Sequence, residues 1–156
     1  MEIERKWRMS APPPLRERSH TRIEQSYLCV TPEVRIRRYE DVISGSVRYD
    51  LTIKGEGTLS REEIIKDLSA EEYGALLGLT HGAEPIVKDL RTYDYEGRTL
   101  EFSYVDPQRA SGFSYAEVEF PSEEEARAFL APEWFGQEST EDGTFRMKLY
   151  WQETRN

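Results

Sequence analysis

The chain opens Met1-Glu2-Ile3-Glu4-Arg5-Lys6-Trp7, an alternation that sorts charge onto one side of a strand. In an extended strand, alternate side chains share a face. Glu2, Glu4 and Lys6 then point one way, and Ile3, Arg5 and Trp7 the other. Two carboxylates about 7 Å apart, followed by an ammonium, can hold a divalent cation and one end of a polyanion. Similar rungs recur downstream. Arg35 and Arg37 share a face with Tyr39, Lys54 with Thr52 and Asp50, and Glu117 and Glu119 with Tyr115.

For any single strand, ordinary alternation with a solvated charged face is the better reading. The joint pattern shifts the balance. Acidic pairs sit on the first and last strands and basic residues on the middle ones, and a solvated sheet has no reason to segregate them so. Converging faces would make a wet, charge-rich lumen, because isolated buried ions carry a heavy desolvation cost. Oxygen-only carboxylate ligands favour magnesium or manganese over zinc. Lysine and arginine suit phosphoryl oxygens, arginine in bidentate fashion. A metal-bridged oligophosphate satisfies both sets together.

Strand-like segments that must carry these rungs fill the first two thirds of the chain. They run over about 2–9, 21–30, 33–40, 47–54 and 60–67, separated by turns at Thr31-Pro32, Ser44-Gly45-Ser46 and Gly55-Glu56-Gly57. Ser69, with Glu72 at the capping-box position, starts a short helix to about Gly78. Residues 84–95 and 98–106 read as a hairpin around Glu96-Gly97, and 114–120 as the last strand. A second helix spans 123–130, with acids in its first turn as the macrodipole prefers. A final short helix is expected in 140–151, capped by Thr140. The fold class that follows is α+β, mainly β: an eight-stranded antiparallel barrel, or tunnel, with a few flanking helices.

Bulk properties bound the function. A length of 156 residues reads as one domain over 1–156. Only 37% of residues are hydrophobic and 33% are charged, so a large polar surface, and room for a polar interior, is expected. The net charge of −9 argues against a general nucleic-acid binder, though not against a local basic pocket. One cysteine, Cys29, cannot form an internal disulfide, the N-terminus carries no apolar signal core, and no apolar run reaches membrane-spanning length. A cytoplasmic protein without a membrane partner is the default expectation.

With Val34-Arg35-Ile36-Arg37, Leu51-Thr52-Ile53-Lys54-Gly55 and Ala116-Glu117-Val118-Glu119-Phe120 following the opening E-x-E-x-K string in order, the chain resembles the CYTH superfamily, the triphosphate tunnel metalloenzymes. The tail, Trp134-Phe135-Gly136 through Thr140-Glu141-Asp142, looks like the short bacterial members with inorganic tripolyphosphatase activity. The resemblance implies a magnesium- or manganese-dependent phosphoanhydride hydrolase acting on a small triphosphate. By motif match, Lys6, Arg35, Arg37 and Lys54 grip phosphates, and Glu2, Glu4, Glu117 and Glu119 hold metal. Arg61-Glu62-Glu63 looks like the family's R-x-E segment and nominates Glu63 as a further metal ligand. Tyr27, in Ile23-Glu24-Gln25-Ser26-Tyr27-Leu28, would sit near Lys6 and help position an attacking water.

Some positions depart from the family pattern. A lysine and an arginine two apart are common on its sixth strand; here Lys88 and Arg91 are three apart, so without a bulge only one can bind substrate. Ser103 and Ile65 stand at commonly acidic positions, with Glu101 or Asp106 available to compensate for the first, and Met147 replaces an asparagine. Rival readings are a thiamine, nucleoside or RNA triphosphatase, a class IV-type adenylate cyclase, a non-catalytic polyphosphate-binding module, and a plain interaction domain. A homodimer stays open. Elsewhere the residues read as bland: His20 and His81 as isolated surface residues, Cys29 as buried and inert, and Trp7, Trp134 and Trp151 as packing anchors.

Overall fold

The alternating segments pair as one antiparallel sheet in the computed structural model, which describes residues 1–155. In chain order the elements are β1 (Glu2–Arg8), β2 (Glu17–Val30), β3 (Glu33–Asp41), β4 (Val47–Lys54), β5 (Ser60–Arg61), β6 (Glu63–Leu68), α1 (Ala70–Leu77), β7 (Ile86–Tyr95), β8 (Arg98–Val105), β9 (Phe113–Glu119), α2 (Glu123–Ala128) and α3 (Met147–Arg155). Across the sheet the order is β5-β1-β9-β8-β7-β2-β3-β4-β6.

The two edges of that order are consecutive in sequence. Arg61 of β5 pairs with Glu2 of β1, while Glu63 of β6 pairs with Lys54 of β4. Only Glu62 lies between them, so one interrupted strand joins both edges and curls the sheet into a nearly closed barrel. The expected single strand over 60–67 is thus two, and the count is nine rather than eight, because the segment changes partner at Glu62. The wall beside the second half of β1 is filled by residues 137–139. There the Arg8 amide donates to the Gln137 carbonyl at 2.8 Å, and the Ser139 amide to that of Lys6 at 2.8 Å. Gly136 permits this approach: a Cβ there would stand 1.8 Å from the Arg8 carbonyl oxygen.

The main apolar core lies outside the barrel wall. Trp7, Leu100, Phe102, Ala116 and Val118 project from β1, β8 and β9 onto Phe120, Ala126, Phe129 and Phe135 from α2 and its flanks. Trp7 packs edge-on against Phe135, centroids 4.6 Å apart. Removing such a ring typically costs about 3–5 kcal/mol. With the apolar face of these strands committed outward, the charged face turns inward. The Ser69–Glu72 capping box forms as expected, at 3.0 and 2.8 Å, and α1 lays Tyr73 against Tyr49 of β4.

Several local expectations fail for identifiable reasons. β2 begins at Glu17 rather than Thr21, because β7 continues to pair with it past a register shift between Glu17 and Ser19. A second shift, between Tyr27 and Cys29, leaves Cys29 exposed, its thiol donating to the Pro32 carbonyl at 3.0 Å. α3 starts at Met147, not near Thr140; the Thr140 hydroxyl instead accepts from the Lys6 amide at 3.0 Å and donates to Glu138 at 2.7 Å. His20 is not isolated either, since it meets Asp89 at 2.8 Å on the outer face. The tryptophans do anchor packing. Among the described residues, no helix is long and apolar enough to cross a membrane.

Candidate functional site

Strict alternation along β1 and β9 places Glu2, Glu4, Lys6 and Arg8 on the inner face opposite Glu119, Glu117 and Tyr115. The inner face of β3 carries Glu33, Arg35, Arg37 and Tyr39, and that of β4 carries Asp50, Thr52 and Lys54. These rungs meet around one cavity of about 420 Å³. Tyr27, Arg61, Glu63, Lys88 and Glu101 also line it, as do Phe145 and Arg146 just before α3 and Met147 and Tyr150 in its first turn.

Every residue nominated from the sequence lines this cavity except Arg91. The spacing problem on β7 is resolved without a bulge: Lys88 points in and is 4% exposed. Arg91 points out, where it pairs with Asp89 at 3.0 Å and Glu17 at 3.1 Å, and so cannot reach a ligand in the lumen. Glu101 faces the cavity in place of the acid missing at Ser103. Asp106 does not; it is buried behind β7, bonded to Arg155, Tyr150 and the Val87 amide. Ile65 stands on the lining with its side chain half exposed.

Sequence reading placed Asp50, Thr52, Tyr39 and Tyr115 on the charged faces but gave them no role. It missed Glu33, Arg61 and Gln25. Arg61 was visible in its R-x-E segment, and β-period alternation from Arg35 reaches Glu33. Gln25, two residues before Tyr27 on the same face, was equally accessible.

The electrostatics divide the lumen. Lys54 Nζ donates to Glu2 at 2.9 Å and lies 3.5 Å from Glu63, and Arg61 reaches Glu2 at 3.5 Å and Glu33 at 3.3 Å. Burial, the largest influence, raises Glu2, but Lys54 and the hydrogen bond with Glu63 together hold it below its ordinary value. Glu4 and Glu117 share a hydrogen bond, and burial followed by the Glu117 charge pushes Glu4 well up. Burial opposes ionisation of Glu117 too, but the bond from Glu4 and the charges of Lys88, Lys6 and Lys54 hold it at about 2. Two carboxylates in contact require a proton or a cation between them. Among the cations, burial, then Arg37, drives Lys88 well down, and burial, then Arg35, lowers Lys54. The Arg35 Nε–H is buried with no partner. Arg35, Arg37 and Lys88, unlike Lys54 and Arg61, make no ion pair with a carboxylate among the described residues, and an anion is the partner they suit.

The acids stand as pairs, Glu2 with Glu63 and Glu4 with Glu117. Among the described residues no three acidic, histidine or cysteine side chains gather at ligand distance. Paired carboxylates suit magnesium or manganese nonetheless, since magnesium usually takes one or two carboxylates and completes its octahedron with water and substrate phosphates. The donor set therefore fits such an ion together with a phosphate chain, and fits zinc poorly.

No family model matches the chain. An inorganic triphosphatase of Nitrosomonas europaea is 33% identical over 151 residues, covering 94% of each sequence. A solved structure of an inorganic triphosphatase superposes with a TM-score of 0.63 at 27% identity, covering 96% of this chain and 93% of that one. A putative adenylate cyclase from Bacillus halodurans, 16% identical, shares the fold with a TM-score of 0.54, over 81% of this chain and 84% of the other.

Proposed function

The chain belongs to the CYTH superfamily of triphosphate tunnel metalloenzymes, and from that membership we propose that it hydrolyses a triphosphate, inorganic tripolyphosphate foremost, with magnesium or manganese. The observation that carries this reading is the meeting, in one cavity, of carboxylate pairs with Arg35, Arg37 and Lys88, which form no ion pair among the described residues. A chelated polyanion neutralises both walls at once.

In this reading Arg35, Arg37, Lys54 and Lys88 hold the phosphate chain and stabilise charge on the transferring phosphoryl group. Water attacks the terminal phosphorus, the bridging P–O bond breaks, and orthophosphate and pyrophosphate leave. Lys6 and Tyr27 are the proposed catalytic pair, Glu2, Glu4, Glu63, Glu117 and Glu119 the proposed metal ligands. A divalent ion held there would neutralise phosphate oxygens and make a bound water more acidic. Catalysis is then mostly positioning and charge.

The test is phosphate release from tripolyphosphate, pyrophosphate, thiamine triphosphate and ATP, each with magnesium, manganese or chelator. Tripolyphosphate with metal should be turned over fastest. Glu4→Ala and Glu119→Ala should each abolish release while circular dichroism stays native; full activity in either variant removes that residue from the site. One observation favours a second reading. Ile65 on the lining and Ser103 behind it leave fewer acids than the family pattern, which suits a polyphosphate-binding module. Calorimetric binding of tripolyphosphate without phosphate release would select it.

A further inference from the structure

A continuous hydrogen-bonded chain crosses the inner faces of β2, β3 and β4, and its direction is fixed by chemistry. Arginine has donors only. Arg37 Nε lies 2.9 Å from Gln25 Oε1, which must accept. The other end of the same amide, Nε2, lies 2.8 Å from the Tyr27 hydroxyl oxygen and must donate to it. On the far side, Arg37 Nη1 donates to the Tyr39 oxygen at 3.3 Å, and the Tyr39 hydroxyl donates to Asp50 Oδ2 at 2.8 Å. Gln25 is 0% exposed, so its amide is closed to bulk solvent.

Tyr27 is the open end of this chain. Its oxygen accepts from Gln25, and no acceptor for its own proton is found among the described residues. Cross-strand from it stands Arg35, whose buried Nε–H also lacks an acceptor. Two cross-strand neighbours on the cavity wall thus each carry a donor without an acceptor among the described residues. Burial, relieved in part by Arg35, pushes the phenol up to about 12, so the proton stays on Tyr27 at neutral pH.

We propose that Gln25 is a positioning residue that ties Arg37 to Tyr27 and compels the Tyr27 hydroxyl to donate into the lumen, to a phosphate oxygen of the bound triphosphate. This rests on the triphosphatase reading above. It makes Tyr27 a donor to the phosphoryl group and excludes it as the base that takes a proton from water.

Gln25→Glu tests the polarity. The carboxylate keeps the length and the contact with Arg37, but it turns an acceptor toward Tyr27 and draws the hydroxyl's hydrogen bond away from the lumen. With tripolyphosphate and magnesium, kcat should fall at least tenfold, to the level of Tyr27→Phe, with KM changed less than threefold. The double variant should be no slower than either single one. A merely structural Gln25 predicts near-normal turnover in Gln25→Glu, and an unrelated charge effect predicts losses that multiply in the double variant; either outcome overturns the proposal. Should Gln25→Glu fail to fold, Gln25→Met decides: its loss must vanish in the Tyr27→Phe background, and a loss that persists there is fatal. If wild-type protein binds tripolyphosphate but releases no phosphate, hydrolysis is the failed reading. The same non-additive pattern must then appear in calorimetric affinities, and its absence overturns the proposal. Failure of wild-type protein to bind tripolyphosphate overturns both.

Discussion

Glu101 shows how one residue can report the condition of the whole lumen. Burial and then the Glu117 charge push its carboxyl up to about 7, although Arg37 and Lys88 pull the other way. An unfolded glutamate titrates near ~4.3. The folded protein therefore binds this proton more tightly than the unfolded chain. The sign follows: the contribution is fully present below about pH 4 and is lost as pH rises through about 7. At about 1.4 kcal/mol per pH unit, the amount at stake is on the order of 3 kcal/mol. Urea denaturation of metal-free protein at pH 5 and pH 8 measures it. Wild type should lose stability relative to Glu101→Gln between the two, because the amide has no proton to give up. Equal losses in both proteins would mean that Glu101 sits in a far more polar setting than its neighbours imply.

At the scale of elements, one buried carboxylate gathers the polar contacts of α3. Asp106 accepts from Arg155 Nη1 at 2.6 Å, Tyr150 at 2.7 Å, the Val87 amide at 2.9 Å and Arg155 Nη2 at 3.2 Å. Burial would raise it, but these donors, Arg155 first, hold it below its ordinary value. Its stabilisation is present above about pH 4 and lost as acid protonates it. Asp106 has φ +45, a conformation asparagine also tolerates. Asp106→Asn thus isolates the charge. It breaks a buried ion pair, which typically costs about 3–5 kcal/mol. Amide exchange should accelerate across Met147–Arg155 while β7 and β8 stay protected; unchanged protection would show that Trp151 packing and the bonds from Arg155 to the Glu84 and Pro85 carbonyls suffice to secure the helix.

The same element explains what the sequence could and could not convey. β1, β3, β4 and β9 were legible because period-two alternation places every inner residue once a single one is known. α3 was misplaced because Thr140 has the chemistry of a cap but spends its hydroxyl on Lys6 and Glu138, a partnership with no local trace. Cys29 was misjudged because a register shift after Tyr27 flips every later side chain. Arg91 and Lys88 could be separated only by parity, and Lys88 was fixed by its pairing with Val105 and Ile23. The network through Gln25 depends on three strands meeting, which alternation alone does not specify.

For the whole molecule, a net charge of −9 and a polyanionic ligand are reconciled by where the charges sit. The cations that matter are inside, and the acids facing them across the cavity require a second, positive partner. Neither a bare polyphosphate nor a bare divalent ion neutralises the lumen. Each should therefore bind weakly alone and strengthen the other, a coupling that linkage makes reciprocal. A ligand at a hundred times its Kd stabilises the folded state by about 2.7 kcal/mol. In a protein of this size that moves Tm by roughly 5–10 °C. An imido analogue of tripolyphosphate avoids turnover during the scan. With magnesium present, its shift should exceed the sum of the shifts given by analogue and magnesium separately. Purely additive shifts would mean that the acidic and basic walls do not share one occupant, and the cavity would then be two sites rather than one.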